Sequence, residues 1–314
     1  MLDVLEITFP IYALIGLGFV VTRRGGLSPA DIRGLGRFVV SLAFPALMFS
    51  VIVSKPLGET VQIPYLLTYA VGSLLLMAML YPGYRRVGGY DHKTAALATL
   101  GSACPNSGFI GYPVLLLAMP AVAEQTLVQN LLVEQMVFLP LLLMVTEFDR
   151  SNGGAYWRGV LANFWRIITG PVVSAMLAGV LFASAGLKVP GILDGPLQML
   201  AVTCGATSLF VIGGNLAVLK PKGVRALAAC ISVAKLVLHP LIMLACVVIV
   251  TGAGVFDMPL QMRSVLVLSC GMPVMGMLPM LAQAHHREGF ASAAQLGTTI
   301  ASVFTLPFVL YLVG

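Results

Sequence analysis

Between Gly101 and Pro113 the chain reads Gly-Ser-Ala-Cys-Pro-Asn-Ser-Gly-Phe-Ile-Gly-Tyr-Pro, inside an apolar run otherwise long enough to cross a bilayer. No single α-helix passes through it. Pro105 has no N–H to donate, and its ring clashes with the preceding turn, so nearby carbonyls lose their partners. Gly101, Gly108 and Gly111 lack the side chains that would shield those groups. Within hydrocarbon such an interruption survives only where protein buries it or water reaches it. Cys270-Gly271-Met272-Pro273-Val274-Met275-Gly276 breaks the same rule in the other half of the chain. Two interrupted spans at corresponding places in two halves point to a binding site where they meet.

The remaining sequence supplies the frame. Of 314 residues, 59% are hydrophobic and 10% charged, with a mean hydropathy of +0.97, against about 25% charged in a soluble domain. A ruler of about 20 apolar residues per span gives ten spans: 3–22, 31–53, 63–82, 92–119 (interrupted), 122–146, 160–185, 194–219, 224–251, 260–283 (interrupted) and 288–313. Gly25-Gly26, Lys55-Pro56, Gly88-Gly89, Asn152-Gly153-Gly154, Pro190-Gly191 and Pro221 punctuate them. The longest polar connector, Glu147 to Gly159, leaves no room for an extramembrane domain. The first run follows no basic segment and no A-x-A site, and Asp3 and Glu6 come early, so it is expected to be a retained span rather than a signal peptide.

Charge orients the spans. With the N-terminus outside, the cytoplasmic loops and their flanks hold fourteen basic residues: Arg23, Arg24, Arg33, Arg37, Arg85, Arg86, Lys93, Arg150, Arg158, Arg166, Lys220, Lys222, Arg225 and Arg287. The opposite side holds three (Lys55, Lys188, Arg263), and Lys235 falls within a span. That bias follows the positive-inside rule and places both termini on the non-cytoplasmic side of the plasma (inner) membrane. The net charge of +6 is thereby absorbed by topology, and no basic helix with interleaved aromatics points to nucleic acid. Cys104, Cys204, Cys230, Cys246 and Cys270 lie in apolar segments without a CxxC, which reads as small buried hydrophobes rather than a metal or redox site. No cofactor is implied.

Five spans and five spans suggest a duplication. Superposing Pro105 on Pro273 brings Phe138-Leu139-Pro140-Leu141 within one residue of Thr305-Leu306-Pro307-Phe308, and each break is followed by a further proline, Pro113 or Pro279. Because five is odd, the second copy enters from the opposite face, giving an inverted repeat. Crossing breaks would aim the N–H groups after Pro105 and Pro273 at one point near the midplane. Each half-helix start carries about half a positive charge there, which suits a carboxylate. Asn106 and Ser107 either contact that anion or satisfy the broken backbone.

Ionisable groups inside spans default to ion or proton sites. Glu134 and Gln135 lie mid-span, about 100° apart on an α-helix and so not evidently on one cavity. Glu134 either relays protons or pairs statically with Lys235; Lys235 in turn either attracts the substrate or snorkels toward the nearby cytoplasmic face. His239 either joins a proton path or sits in the core. Asn215, Thr298, Thr299 and Ser302 are expected to bond across helices or to their own backbone, and the sixteen methionines read as pliable packing.

Asn106-Ser107-Gly108-Phe109-Ile110-Gly111-Tyr112-Pro113 resembles the N-x-G-x-x-G-x-P signature of the auxin efflux carrier family. Leu42 to Leu47, Leu209 to Leu216, and Ala291 to Pro307 are similar to that family's second, seventh and last spans, so the resemblance covers essentially the whole chain. It implies an all-α polytopic membrane protein with ten transmembrane helices in a 5+5 inverted repeat, its fourth and ninth helices broken and crossing, as in sodium–proton antiporters and bile-acid symporters. Residues 63–146 and 223–314 would form a transport domain, and residues 1–62 and 147–222 a scaffold, usually homodimeric. It further implies alternating access, elevator-like, for small carboxylates. Pro105, Asn106, Ser107, Gly108, Gln135, Pro273, Val274 and Met275 would hold the substrate, and Glu134, Lys235 and His239 would be coupling groups for H+ in preference to Na+. Gln135 resembles a glutamine that contacts substrate in plant members. The short central loop, as in bacterial members, favours malonate. The alternatives are an exporter of an auxin-like monocarboxylate, a passive anion channel, or a sensor that binds without transport. An enzyme finds no support, since no H-E-x-x-H, nucleophile elbow or phosphate loop occurs in a usable setting.

Overall fold

The computed structural model describes residues 2–147, 154–219 and 225–313. Arg150, Lys220 and Lys222 of the charge pattern, and the loop signals at Asn152-Gly153 and Pro221, lie outside the described residues. Among the described residues all regular structure is helical. The long elements are α1 (Leu2–Arg23), α2 (Pro29–Ser54), α3 (Ile63–Pro82), α4 (His92–Ala103), α5 (Ser107–Ala118), α6 (Pro120–Thr146), α7 (Gly154–Ile168), α8 (Pro171–Ser184), α9 (Gly191–Val218), α10 (Arg225–Gly252), α11 (Leu260–Cys270), α12 (Leu278–Gln283) and α13 (Glu288–Val313). Among the described residues six helices are long and apolar enough to cross a membrane, or seven if α7 and α8, bent by 64°, count as one span. Half of an interrupted helix cannot cover a hydrocarbon layer about 30 Å thick, so α5 and α11 fall among the shorter apolar helices, as does α1 from Thr8.

Prolines shape the long helices through one recurring device. Among the described residues four of five π-helical turns, Val39–Ala43, Ser107–Gly111, Glu134–Phe138 and Ala234–Leu238, end two residues before a proline (Pro45, Pro113, Pro140 and Pro240), and the fifth, Gly83–Val87, follows Pro82. The carbonyl four residues before a proline has no donor and meets the ring. Widening the preceding turn to i→i+5 bonds relieves that conflict without ending the helix.

Helix starts follow their side chains. Ser28 and Asp31 form a reciprocal capping box at α2, and Asp91 accepts from the Thr94 N–H at 3.1 Å to start α4. Arg287, just before α13, reaches Asp91 Oδ2 at 3.4 Å and bonds Thr94 Oγ1 at 3.1 Å, tying two polar ends together.

Helix α1 lies along α9, α2 packs on α8 and α9, and α3 on α10. The α1–α9 contact is a backbone approach made possible by small residues. A Cβ on Gly213 would sit 1.9 Å from the Ile15 carbonyl oxygen, and one on Gly18 would sit 2.1 Å from that of Phe210. Large apolar side chains such as Ile192, Val202 and Phe304 point outward, as lipid contact requires. Cys104, Cys204 and Cys270 are buried as expected, whereas Cys230 is exposed.

Gly213→Ala should force α1 and α9 apart and cost about 1–3 kcal/mol. This would appear as a lower melting temperature in detergent, while Gly16→Ala, whose Cβ would meet nothing within 4 Å, should leave melting unchanged. Asp91→Ala should cost about 1 kcal/mol as a lost N-cap. Partial burial raises the Asp91 carboxyl pKa, but the Thr94 bonds and Arg287 outweigh it and hold it below the ordinary value. Stability from a depressed carboxylate is present above its unfolded pKa of about 4 and vanishes as pH falls through its folded value. The gap in melting temperature between Asp91→Ala and the parent should therefore narrow on acidification.

Candidate functional site

The two interruptions meet. Helix α4 stops at Ala103, Cys104 closes its last turn on Leu100, and the chain then runs extended through Pro105. Helix α11 stops at Cys270, followed by an irregular stretch to Met277. Pro105 and Val274 pair as an isolated antiparallel bridge. The Asn106 N–H donates to the Pro273 carbonyl at 2.8 Å, and the Met275 N–H to the Cys104 carbonyl at 3.1 Å. Each break thus supplies partners that the other lost.

Two further groups of the second break are satisfied from outside. Lys235 Nζ donates to the Cys270 carbonyl at 2.6 Å, capping the C-terminal end of α11 with a cation. The Val274 N–H donates to Thr298 Oγ1 at 3.3 Å, while that hydroxyl bonds back to Ala294.

Some donors remain free. Asn106 caps α5, its Oδ1 accepting from the Phe109 N–H at 3.3 Å. Among the described residues its Nδ2 has no hydrogen-bond partner, and neither do the N–H groups of Ser107, Gly108, Gly276 and Met277. The two readings of Asn106 are therefore compatible, with the oxygen completing the helix and the nitrogen left over. The half-helices are unequal: α12 has six residues, whereas α5 combines a five-residue π turn with seven α-helical residues.

These groups border a cavity of about 330 Å³. Pro105, Asn106, Ser107, Gly108, Glu134, Gln135 and Met275 line it; Pro273 and Val274 do not and are spent in the crossing. Glu134 and Gln135 share the cavity despite their spacing, because the π turn at Glu134–Phe138 rotates the chain less per residue than an α turn. Opposite them stand Val40 and Phe44 of α2, Asn163 and Arg166 of α7, and Val173 of α8. A Cβ on Gly108 would lie 2.2 Å from the Phe44 ring.

The three ionisable candidates separate into two clusters. Glu134, buried, accepts at Oε1 from Tyr69 OH at 3.0 Å and from Ser107 Oγ. Lys235 Nζ lies 3.0 Å from His239 Nδ1, and His239 Nε2 lies 3.0 Å from Ser73 Oγ. Lys235 and His239 do not line the cavity. Among the described residues Glu134 and Lys235 form no ion pair, which corrects the static-pair reading. Lys235 is 0% exposed, so it does not snorkel; the Cys270 carbonyl supplies its partner inside. His239 is a core residue.

Sequence reasoning missed Tyr69 and Ser73, which are one helical turn apart on α3 and reach both clusters. Their i, i+4 spacing in an apolar span was the available signal. It also missed Asn163, and gave Arg166 only a topological role.

Residues 3–155 match the membrane transport protein family. Over its full length the chain is 26% identical to a Rhizobium meliloti (strain 1021) protein named "Putative malonate transporter", covering 97% of that protein. It is also 26% identical, over 57% of its length and 63% of the relative, to an "Uncharacterized transporter" of Methanothermobacter thermautotrophicus. The interrupted α4–α5 pair and Glu134 fall within the matched segment.

Lys235→Met should leave the Cys270 carbonyl and His239 Nδ1 without a donor. The loss of about 1–3 kcal/mol should be visible as a lower melting temperature of the purified protein.

Proposed function

We propose that this chain is a ten-span secondary carrier of small carboxylates, in which the crossing of α4–α5 with α11–α12 holds the anion. One observation carries the reading: free N–H groups from both breaks and the Asn106 amide border a single cavity of about 330 Å³. Backbone donors at a half-helix start bind a carboxylate without a full countercharge. Gln135 orients the anion from α6. Glu134 sits beside the substrate donors through Ser107, where its protonation state would change with occupancy. Lys235 and His239 are the other coupling groups, H+ being the ion.

Ten spans follow when α1 and each interrupted or bent pair count as one crossing. Residues 63–146 and 223–314 then form the moving unit. Residues 1–62 and 147–222 form the scaffold, through which two copies associate in the plasma membrane. The charge pattern puts both termini outside. Leu100, Leu143, Asn163, Arg166 and Leu281 line the cavity on the same side of the breaks as the basic loops, so this conformation opens toward the cytoplasm. The similarity to the Rhizobium protein makes malonate the first substrate to test. A second reading, an aryl or alkyl monocarboxylate, draws on the apolar wall formed by Phe44, Phe109, Leu131, Leu139 and Val173.

Counterflow in proteoliposomes tests both. Internal malonate should accelerate uptake of labelled malonate, and phenylacetate should do so only if the second reading holds. Flux that internal substrate never accelerates would indicate a channel, and no flux with retained binding would indicate a sensor. Asn106→Ala or Gln135→Ala should weaken transport about tenfold to a hundredfold, the worth of one hydrogen bond to a charged group. Unchanged transport in both would remove the residue assignment.

A further inference from the structure

Helix α13 contributes a buried amide with nothing to hold. Gln295 is 3% exposed, yet among the described residues its side chain has no hydrogen-bond partner. Its neighbours differ: Thr298, Thr299 and Ser302 all return their hydroxyls to backbone carbonyls of the same helix. The Gln295 amide is not among the fully enclosed unpaired atoms of the described residues, so it borders open space, and an unmatched amide there calls for an explanation.

The position of Gly276 supplies one. A Cβ placed there would have Asn106 Nδ2 at 3.4 Å, Asn106 Oδ1 at 3.8 Å and Gln295 Nε2 at 3.8 Å. The two free amides, one from the cap of α5 and one from α13, therefore approach the same point. Gly276 lines the cavity, whereas Gln295 stands behind it, and among the described residues the Gly276 N–H is also without a partner. Any side chain larger than hydrogen would fill the space between the amides. A primary amide presents either end, and an anion selects the N–H2 end.

We propose that Gln295 is a substrate-binding residue, its amide closing with Asn106 Nδ2 and the Gly276 N–H on a carboxylate of the transported anion, with Gly276 keeping that space open. The proposal deepens the carrier reading and rests on it. It adds donors on the side of the second break, where the six-residue α12 contributes little dipole.

The test is binding to the purified full-length protein, read by thermal shift and by isothermal titration with malonate, succinate and phenylacetate. If none of the three binds the parent protein, the carrier reading falls and the Gln295 role falls with it. If one binds, Gln295→Met, which keeps the volume and removes the donors, should raise its Kd about tenfold or more without lowering the unliganded melting temperature. Gln295→Glu should bind progressively worse as pH rises, a dependence that a packing role would not produce. Gly276→Ala should weaken the same ligand. Parent-like affinity in Gln295→Met, or in Gln295→Glu at every pH should the Met variant not fold, would overturn the proposal and leave the carrier reading standing.

Discussion

Two hydrogen bonds hold the centre of this molecule: Asn106 N–H to Pro273 C=O, and Met275 N–H to Cys104 C=O. A helix interrupted in hydrocarbon exposes polar groups that water cannot reach, each costing several kcal/mol if unpaired. Neither break can satisfy itself, because Pro105 and Pro273 have no N–H. Crossing solves both at once. It also explains why the solution is incomplete, since a bridge one pair long uses only the groups nearest the prolines. The next N–H groups along each chain, at Ser107, Gly108, Gly276 and Met277, are left facing the cavity.

The polar side chains around the crossing serve the same constraint at longer reach. Lys235 supplies the C-terminal carbonyl of α11 with a donor, Thr298 receives the Val274 N–H, and Ser107 links the first break to Glu134. Tyr69 and Ser73 then anchor Glu134 and His239 from a single face of α3. Buried networks of this kind are stabilising when every member is matched. The unmatched amides of Asn106 and Gln295 sit at the crossing itself, whereas Ser50, Thr99, Thr126 and Ser269 carry buried hydroxyls that also lack a partner among the described residues.

Much of this was legible in the chain. Pro105 and Pro273 marked the breaks, because proline chemistry is local and nothing else repairs it in lipid. The apolar runs marked the helices, since ordinary spans need little besides length. Which side chains would share the cavity was harder to read. α-Helical geometry sets Glu134 and Gln135 about 100° apart and so not evidently on one cavity, yet both line it from within the π turn ahead of Pro140. The same device precedes Pro45, Pro113 and Pro240 but not Pro10, Pro196 or Pro307, so a proline within an apolar span was only a partial signal. The partner of Lys235 was illegible for another reason. A backbone carbonyl carries no sequence mark, and Glu134 was the only acid in view.

The distribution of polar contacts bears on how such a site would reach both sides of a membrane. Within the proposed moving unit, hydrogen bonds join α3 to α6 and α10, α10 to α11, and the two breaks to each other and to α6 and α13. Toward the proposed scaffold the described residues offer far less. Tyr12 OH reaches Ser302 Oγ at 3.4 Å, and Gln125 and Gln129 hold the connector at Glu59 and Gln62. The remaining wall is mostly apolar, with Val40 and Phe44 of α2 and Val173 of α8 facing the cavity beside Asn163 and Arg166 of α7. Apolar contact is non-directional and survives a shift in register, whereas a hydrogen-bonded crossing does not. A unit that carries its anion intact would therefore part from its neighbours along the apolar wall, and Asn106, Gln135 and Gln295 would travel together.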